Sequence, residues 1–104
     1  MRLTILLAGA LALSLAGTSA WAGVDEAMAK AGCTACHAKD KKLVGPSFKD
    51  IAAKYKGQDV ASTLFDKVRK GGSGNFGPVP MSPNGPDKIN DADLKEAVAM
   101  ILKS

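Results

Sequence analysis

Both cysteines and the single histidine of this 104-residue chain fall within five consecutive positions, Cys33-Thr34-Ala35-Cys36-His37. No other feature constrains the fold as tightly. Residues three apart share one face of a helical turn, so the two thiols project together. C-x-x-C-H is the attachment signature for c-type haem. Two thiols a turn apart can add to the two vinyl groups on one porphyrin edge, and the adjacent imidazole then reaches the iron. On that reading the chain folds around a flat macrocycle. Three other readings of the pentapeptide are weaker. A Cys33–Cys36 disulfide would close a very short loop and stabilise little. A zinc site needs about four protein ligands, and the chain offers two cysteines and one histidine. A thioredoxin-like dithiol belongs in a βαβ setting, and the remaining sequence has a helical pattern.

The first 22 residues stand apart from the rest. Met1-Arg2 supplies a positive charge, Leu3 to Leu15 is apolar apart from Thr4, Gly9 and Ser14, and Ala20-Trp21-Ala22 offers small residues at a cleavage site. This is the secretory signal pattern. A membrane anchor would need about 20 apolar residues, more than this run holds. Residues 1–22 are expected to be a cleaved signal peptide, which sends the mature chain to the periplasm. Residues 23–104 are expected to form one monohaem domain.

That domain would have 82 residues, the full 104 less the first 22. Domains of this size bury only about 60% of their unfolded surface and often need a disulfide, metal or cofactor. Its aromatics are Phe48, Phe65, Phe76 and Tyr55, since Trp21 leaves with the leader. A core so poor in large side chains calls for a filler. Loss of Arg2 lowers the net charge from +4 to +3, with 13 basic and 10 acidic residues. This mild balance suits acidic protein partners. It carries no basic-aromatic pattern for nucleic acid.

Four short helical patterns are separated by Gly/Pro loops, and no segment alternates as a strand. The first runs from about Val24 to Ala31 and stops at Gly32. The second begins near Ser47 and ends by Gly57, with Phe48, Ile51 and Ala52 on one face. The third is opened by Asp59 as N-cap and closed by Gly71-Gly72, with Leu64, Phe65 and Val68 as its buried stripe. The last starts at Asn90, carries Asp91 and Asp93 in its first turn, and places Leu94, Val98, Ile101 and Leu102 at helical spacing. Gly72 to Ile89 is a long loop of the kind that is usually functional or disordered.

With one histidine, a bis-histidine iron within one chain is excluded. Of the methionines beyond the leader, Met28 and Met100 lie on apolar helix faces and are expected to pack. Met81 lies in Gly77-Pro78-Val79-Pro80-Met81-Ser82-Pro83-Asn84, where the prolines restrict φ and exclude helix. A loop methionine is ordinarily a partly buried hydrophobe. This one is the candidate sixth ligand, because His/Met ligation has precedent in haem proteins.

Three motifs stand together: Ala31-Gly32-Cys33-Thr34-Ala35-Cys36-His37, Val44-Gly45-Pro46-Ser47-Phe48, and Gly77 to Asn84. In order and separation the chain resembles a class I cytochrome c of the small bacterial cytochrome c-551 (cytochrome c8) type. The resemblance covers nearly all of residues 23–104. It implies an all-α, haem-wrapping domain of about four short helices, the first and last crossing. It implies thioether links at Cys33 and Cys36, His37 and Met81 as axial ligands, and a Pro46 carbonyl accepting the His37 ring N–H. Asn84 would orient or hydrogen-bond the Met81 sulfur, and Lys67 would stand near a propionate. Relatives commonly carry Trp where this chain has Phe76, so an indole donor to a propionate is missing. Met28 and Met100 replace aromatics at the helix crossing.

The function this implies is one-electron transfer rather than catalysis. The protein would be a monomeric carrier without stable membrane insertion, bearing one covalent haem c. Its donor would be a quinol-oxidising complex, and its acceptor a terminal oxidase, nitrite reductase or photosynthetic reaction centre. The port would be the thioether edge near Cys33, Pro80, Met81 and Pro83, within reach of Lys30, Lys41, Lys42, Lys49, Lys70 and Lys88. Two further readings are a haem enzyme or ligand sensor with a labile Met81, and a permanent subunit of a larger enzyme.

Overall fold

The computed structural model describes residues 20–104, with side chains from Gly23 onward. The expected signal peptide lies outside the described residues, save for the backbone of residues 20–22. Along the chain run α1 (Ala20–Ala31), α2 (Cys33–Cys36), α3 (Phe48–Lys54), α4 (Ala61–Lys70), β1 (Gly72–Gly74), β2 (Gly77–Met81) and α5 (Asp91–Leu102). Among the described residues no helix is long and apolar enough to cross a membrane.

The last helix is the hub, since α1, α3 and α4 all pack against it. Asn90 caps it by accepting the Asp93 N–H at 2.8 Å, and Asp91 and Asp93 lie in the positive first turn. From α5, Leu94, Ala97 and Val98 are buried against Val24 and Met28 of α1, Phe48 of α3, and Ile89. Ser47 begins α3 by accepting the Asp50 N–H at 3.0 Å. Ser47 itself is almost completely buried.

Several elements depart from expectation. The first helix begins at Ala20 rather than near Val24. A fifth helix is the four-residue turn Cys33–Cys36 itself, entered through Gly32 at φ +87°, a conformation that favours glycine. Asp59 does not cap α4: Val60 holds that position and no side chain bonds the helix end. Leu64, Phe65 and Val68 are half-buried rather than buried. The long loop contains an antiparallel hairpin, β1 pairing with β2 as Gly72 opposite Met81 and Gly74 opposite Gly77. Nearly every residue of the hairpin is exposed. A side chain fastens its tip, for Lys54 Nζ donates to the Asn75 carbonyl and lies 4.4 Å from the Phe76 ring centroid.

Candidate functional site

A cavity of about 520 Å³ opens between the helices and the hairpin, within the range of cofactor pockets. Its wall is mostly apolar. Leu64 and Val68 line it, which explains why the stripe of α4 is only half-buried: it faces a hollow. The eight residues expected to attach, ligate or surround the haem all line this one cavity: Cys33, Cys36 and His37 from the pentapeptide, Pro46 from the next loop, and Lys67, Phe76, Met81 and Asn84 from α4 and the strap. Of the expected port residues, Pro83, Lys30, Lys41, Lys49 and Lys70 do not line it.

The pentapeptide is set by local geometry. The His37 N–H donates to the Cys33 carbonyl at 2.9 Å, closing the turn, and His37 then leaves it with extended backbone (φ −125°, ψ 136°). The Gly45 N–H donates to the Cys36 carbonyl at 2.8 Å, which lays the 43–46 loop against the ring. Only glycine fits there, because a Cβ at Gly45 would lie 2.5 Å from His37 Cε1. His37 Nδ1 donates to the Pro46 carbonyl at 2.7 Å. A carbonyl can only accept, so Nδ1 carries the proton and Nε2 keeps the lone pair that a metal needs. Phe48 stacks on the imidazole from 5.7 Å.

The other readings of the cysteines find little support. Both are free thiols. Burial pushes the Cys33 thiol up; Cys36 adds to the rise and a backbone hydrogen bond opposes it. A redox dithiol needs the opposite shift, toward thiolate. Among the described residues, no group of three or more His, Cys, Asp or Glu side chains could hold a metal ion.

Most of the strap is exposed, and Met81 and Asn84 are its two partly buried residues. Met81 is half-buried at the end of β2, and Asn84 follows it. The Asn84 side-chain amide donates to the carbonyls of Ser82 at 2.9 Å and Val68 at 3.4 Å. What the structure gives Asn84 is therefore a hold on the strap's backbone. Phe76 sits at the hairpin tip, 40% exposed, edge-on to Tyr55. Sequence reasoning missed Gly45, Lys54 and Arg69. Gly45 was visible only as part of a loop motif, and the contacts of Lys54 and Arg69 join segments distant in sequence. Arg69 did leave one signal: from residue 23 onward it is the only arginine among twelve lysines.

A helical shell around an apolar cavity, with two thiols and a tautomer-fixed imidazole in its wall, defines a protein built round a covalent haem. The comparisons agree. The family model for cytochrome c matches residues 24–104. The chain is 51% identical over 72 residues to cytochrome c-551 of Azotobacter vinelandii, covering 68% of this chain and 84% of that one. It is 50% identical over 80 residues to cytochrome c2 of Rubrivivax gelatinosus, covering 76% and 94%. The crystal structure of wild-type Nitrosomonas europaea cytochrome c552 superposes with a TM-score of 0.68 at 42% identity, over 76% of this chain and 96% of that one. This chain belongs to the cytochrome c family, among its small class I members. It is a small electron carrier whose cofactor is covalent haem c.

Proposed function

We propose that this protein is a soluble periplasmic carrier of single electrons, exported by a signal peptide at residues 1–22 that is cleaved after Ala22. Cys33 and Cys36 hold the haem through thioethers, and His37 and Met81 are its axial ligands. When bound, the haem supplies one-electron exchange at its iron. The observation that carries the ligand assignment is the His37–Pro46 hydrogen bond of 2.7 Å, in a cavity whose wall also holds Met81 and both thiols. That bond fixes the tautomer, orients the ring and raises its basicity. The soft thioether of Met81 favours the reduced state and a raised potential. With both axial positions taken by side chains, exogenous ligands and water are kept out.

The exposure of Pro80 and Pro83 and the half-burial of Cys33 and Met81 support the thioether edge and the strap as the electron port. Leu43, Val44 and Val79 are exposed apolar groups, and Val44 and Val79 also line the cavity. A monomer docking weakly through this surface suits a quinol-oxidising complex as donor. A terminal oxidase, nitrite reductase or reaction centre suits the role of acceptor. Lys67 lines the cavity from α4 and takes the propionate side.

The absorption spectrum of the oxidised holoprotein tests the ligand set. A far-red sulfur-to-iron band is expected in the parent, absent in Met81→Ala and retained in Met100→Leu. An unchanged Met81→Ala spectrum rules the assignment out. N-terminal sequencing of the exported protein should begin at Gly23.

A further inference from the structure

Beyond the leader the chain carries a single guanidinium, Arg69, in the last turn of α4, and its side chain is only 14% exposed. Nη1 donates to the carbonyls of Asn84 at 3.1 Å and Ile89 at 2.8 Å. Nη2 donates to Asp91 Oδ1 at 2.6 Å, and the guanidinium carbon lies 5.1 Å from the Phe65 ring centroid. Two carbonyls five residues apart and a carboxylate are thus gathered by one planar fork. The point charge of a lysine does not match that geometry.

Of the groups so gathered, Asn84 is the last residue of the strap. The Asn84 N–H donates to the Val68 carbonyl at 3.0 Å, so residues 68 and 69 hold both backbone polar groups of Asn84. Two residues further on, Gly71 lies so close to the Met81 carbonyl that a Cβ would strike it, and its φ of +70° also favours glycine. The strap from Met81 to Asn84 therefore lies along the C-terminal end of α4, and Arg69 fastens its far end.

We propose that Arg69 is a positioning residue for the distal ligand: its hold on the Asn84 carbonyl sets how often the strap swings Met81 away from the haem. This rests on the reading of Met81 as that ligand. A charged donor to a carbonyl makes a stronger bond than a neutral one, and partial burial shields it from salt. Strap opening is a local event with its own equilibrium, separable from unfolding. Arg69 acts on that equilibrium through Asn84, whereas its pair with Asp91 joins α4 to α5.

Imidazole added to the oxidised holoprotein measures the opening. It occupies the iron only when Met81 has left, so its apparent affinity scales with the open fraction. Arg69→Gln should tighten imidazole binding by about tenfold or more, the worth of a charged hydrogen bond. Arg69→Lys should fall between Arg69→Gln and the parent, and it carries the test if Arg69→Gln yields no holoprotein. Asp91→Asn breaks the link to α5 and spares Asn84. It should lower the denaturation midpoint yet leave imidazole affinity within about twofold of the parent, since it leaves that charged bond in place. Unchanged imidazole affinity in the Arg69 variants overturns the proposal. So does an Asp91→Asn effect as large as theirs, which would mark general destabilisation. Met81→Ala separates the two levels: if it binds imidazole no more tightly than the parent, the ligand reading itself is wrong.

Discussion

The imidazole of His37 is held on three sides by groups with no choice of position: the Pro46 carbonyl, the Phe48 ring and the backbone of Gly45. Of these, Gly45 is the most sensitive to change. Its φ lies outside the left-handed region, so an added methyl is penalised only by what it touches, and it touches the ring. Gly45→Ala should force the imidazole to move and weaken the bond to Pro46. Overpacking of this kind costs about 1–3 kcal/mol. The holoprotein should lose that much in denaturant titration, and voltammetry should show a displaced potential, because ring orientation and basicity both change. An unaltered potential and stability would mean that the loop gives way instead of the ring. The residue scale is also where the sequence was most legible. Cys33, Cys36 and His37 are the two cysteines and one histidine of the chain, and Met81 is set apart from Met28 and Met100 by its proline-flanked loop. Gly45 and Arg69 were hidden because their importance lies in what approaches them.

Among the elements, those with local signals were readable and those held by distant contacts were not. Ser47 and Asn90, where the sequence pattern starts two helices, each accept a backbone N–H three residues on. Ser47→Ala should therefore destabilise the holoprotein by about 1 kcal/mol or slightly more, since the cap is buried and the freed N–H of Asp50 loses its acceptor. A midpoint unchanged in guanidinium titration would mean that water reaches the helix end. Asp59 carried the same kind of signal and proved misleading, because the chain enters α4 through Val60 instead. The hairpin had no signal. Its strands are Gly72-Ser73-Gly74 and Gly77-Pro78-Val79-Pro80-Met81, and glycine and proline are depleted from strands. Exposed on nearly every residue, it has no buried face to impose alternation. What holds it lies elsewhere in the chain: the grip of Lys54 on Asn75 and Phe76, the Tyr55 edge contact, and the approach of Gly71 to Met81.

For the whole molecule, the arrangement of burial makes the cofactor part of the core. The fully buried hydrophobics among the described residues centre on the packing of α1 and α3 against α5. Ile51, Leu64, Val68 and Met81 instead turn half-buried surface toward the cavity. Without a filler, the mostly apolar wall of this cavity of about 520 Å³ would face water and add little to folding. A domain this small has little stability to spare for such a loss. Of the helices around the cavity, α3 and α4 have little direct contact and meet chiefly through α5. Without haem the shell should therefore not persist. Cys33→Ser combined with Cys36→Ser removes the proposed thioether links while changing two half-buried side chains by one atom each. Exported in this form, the protein should show little helical circular dichroism, no cooperative thermal transition and rapid proteolysis, whereas the holoprotein resists. Packing on α5 can retain some helix, so a weak residual signal without cooperativity fits the expectation. A cooperative transition with native helicity in the double variant would show that the polypeptide closes the cavity by itself.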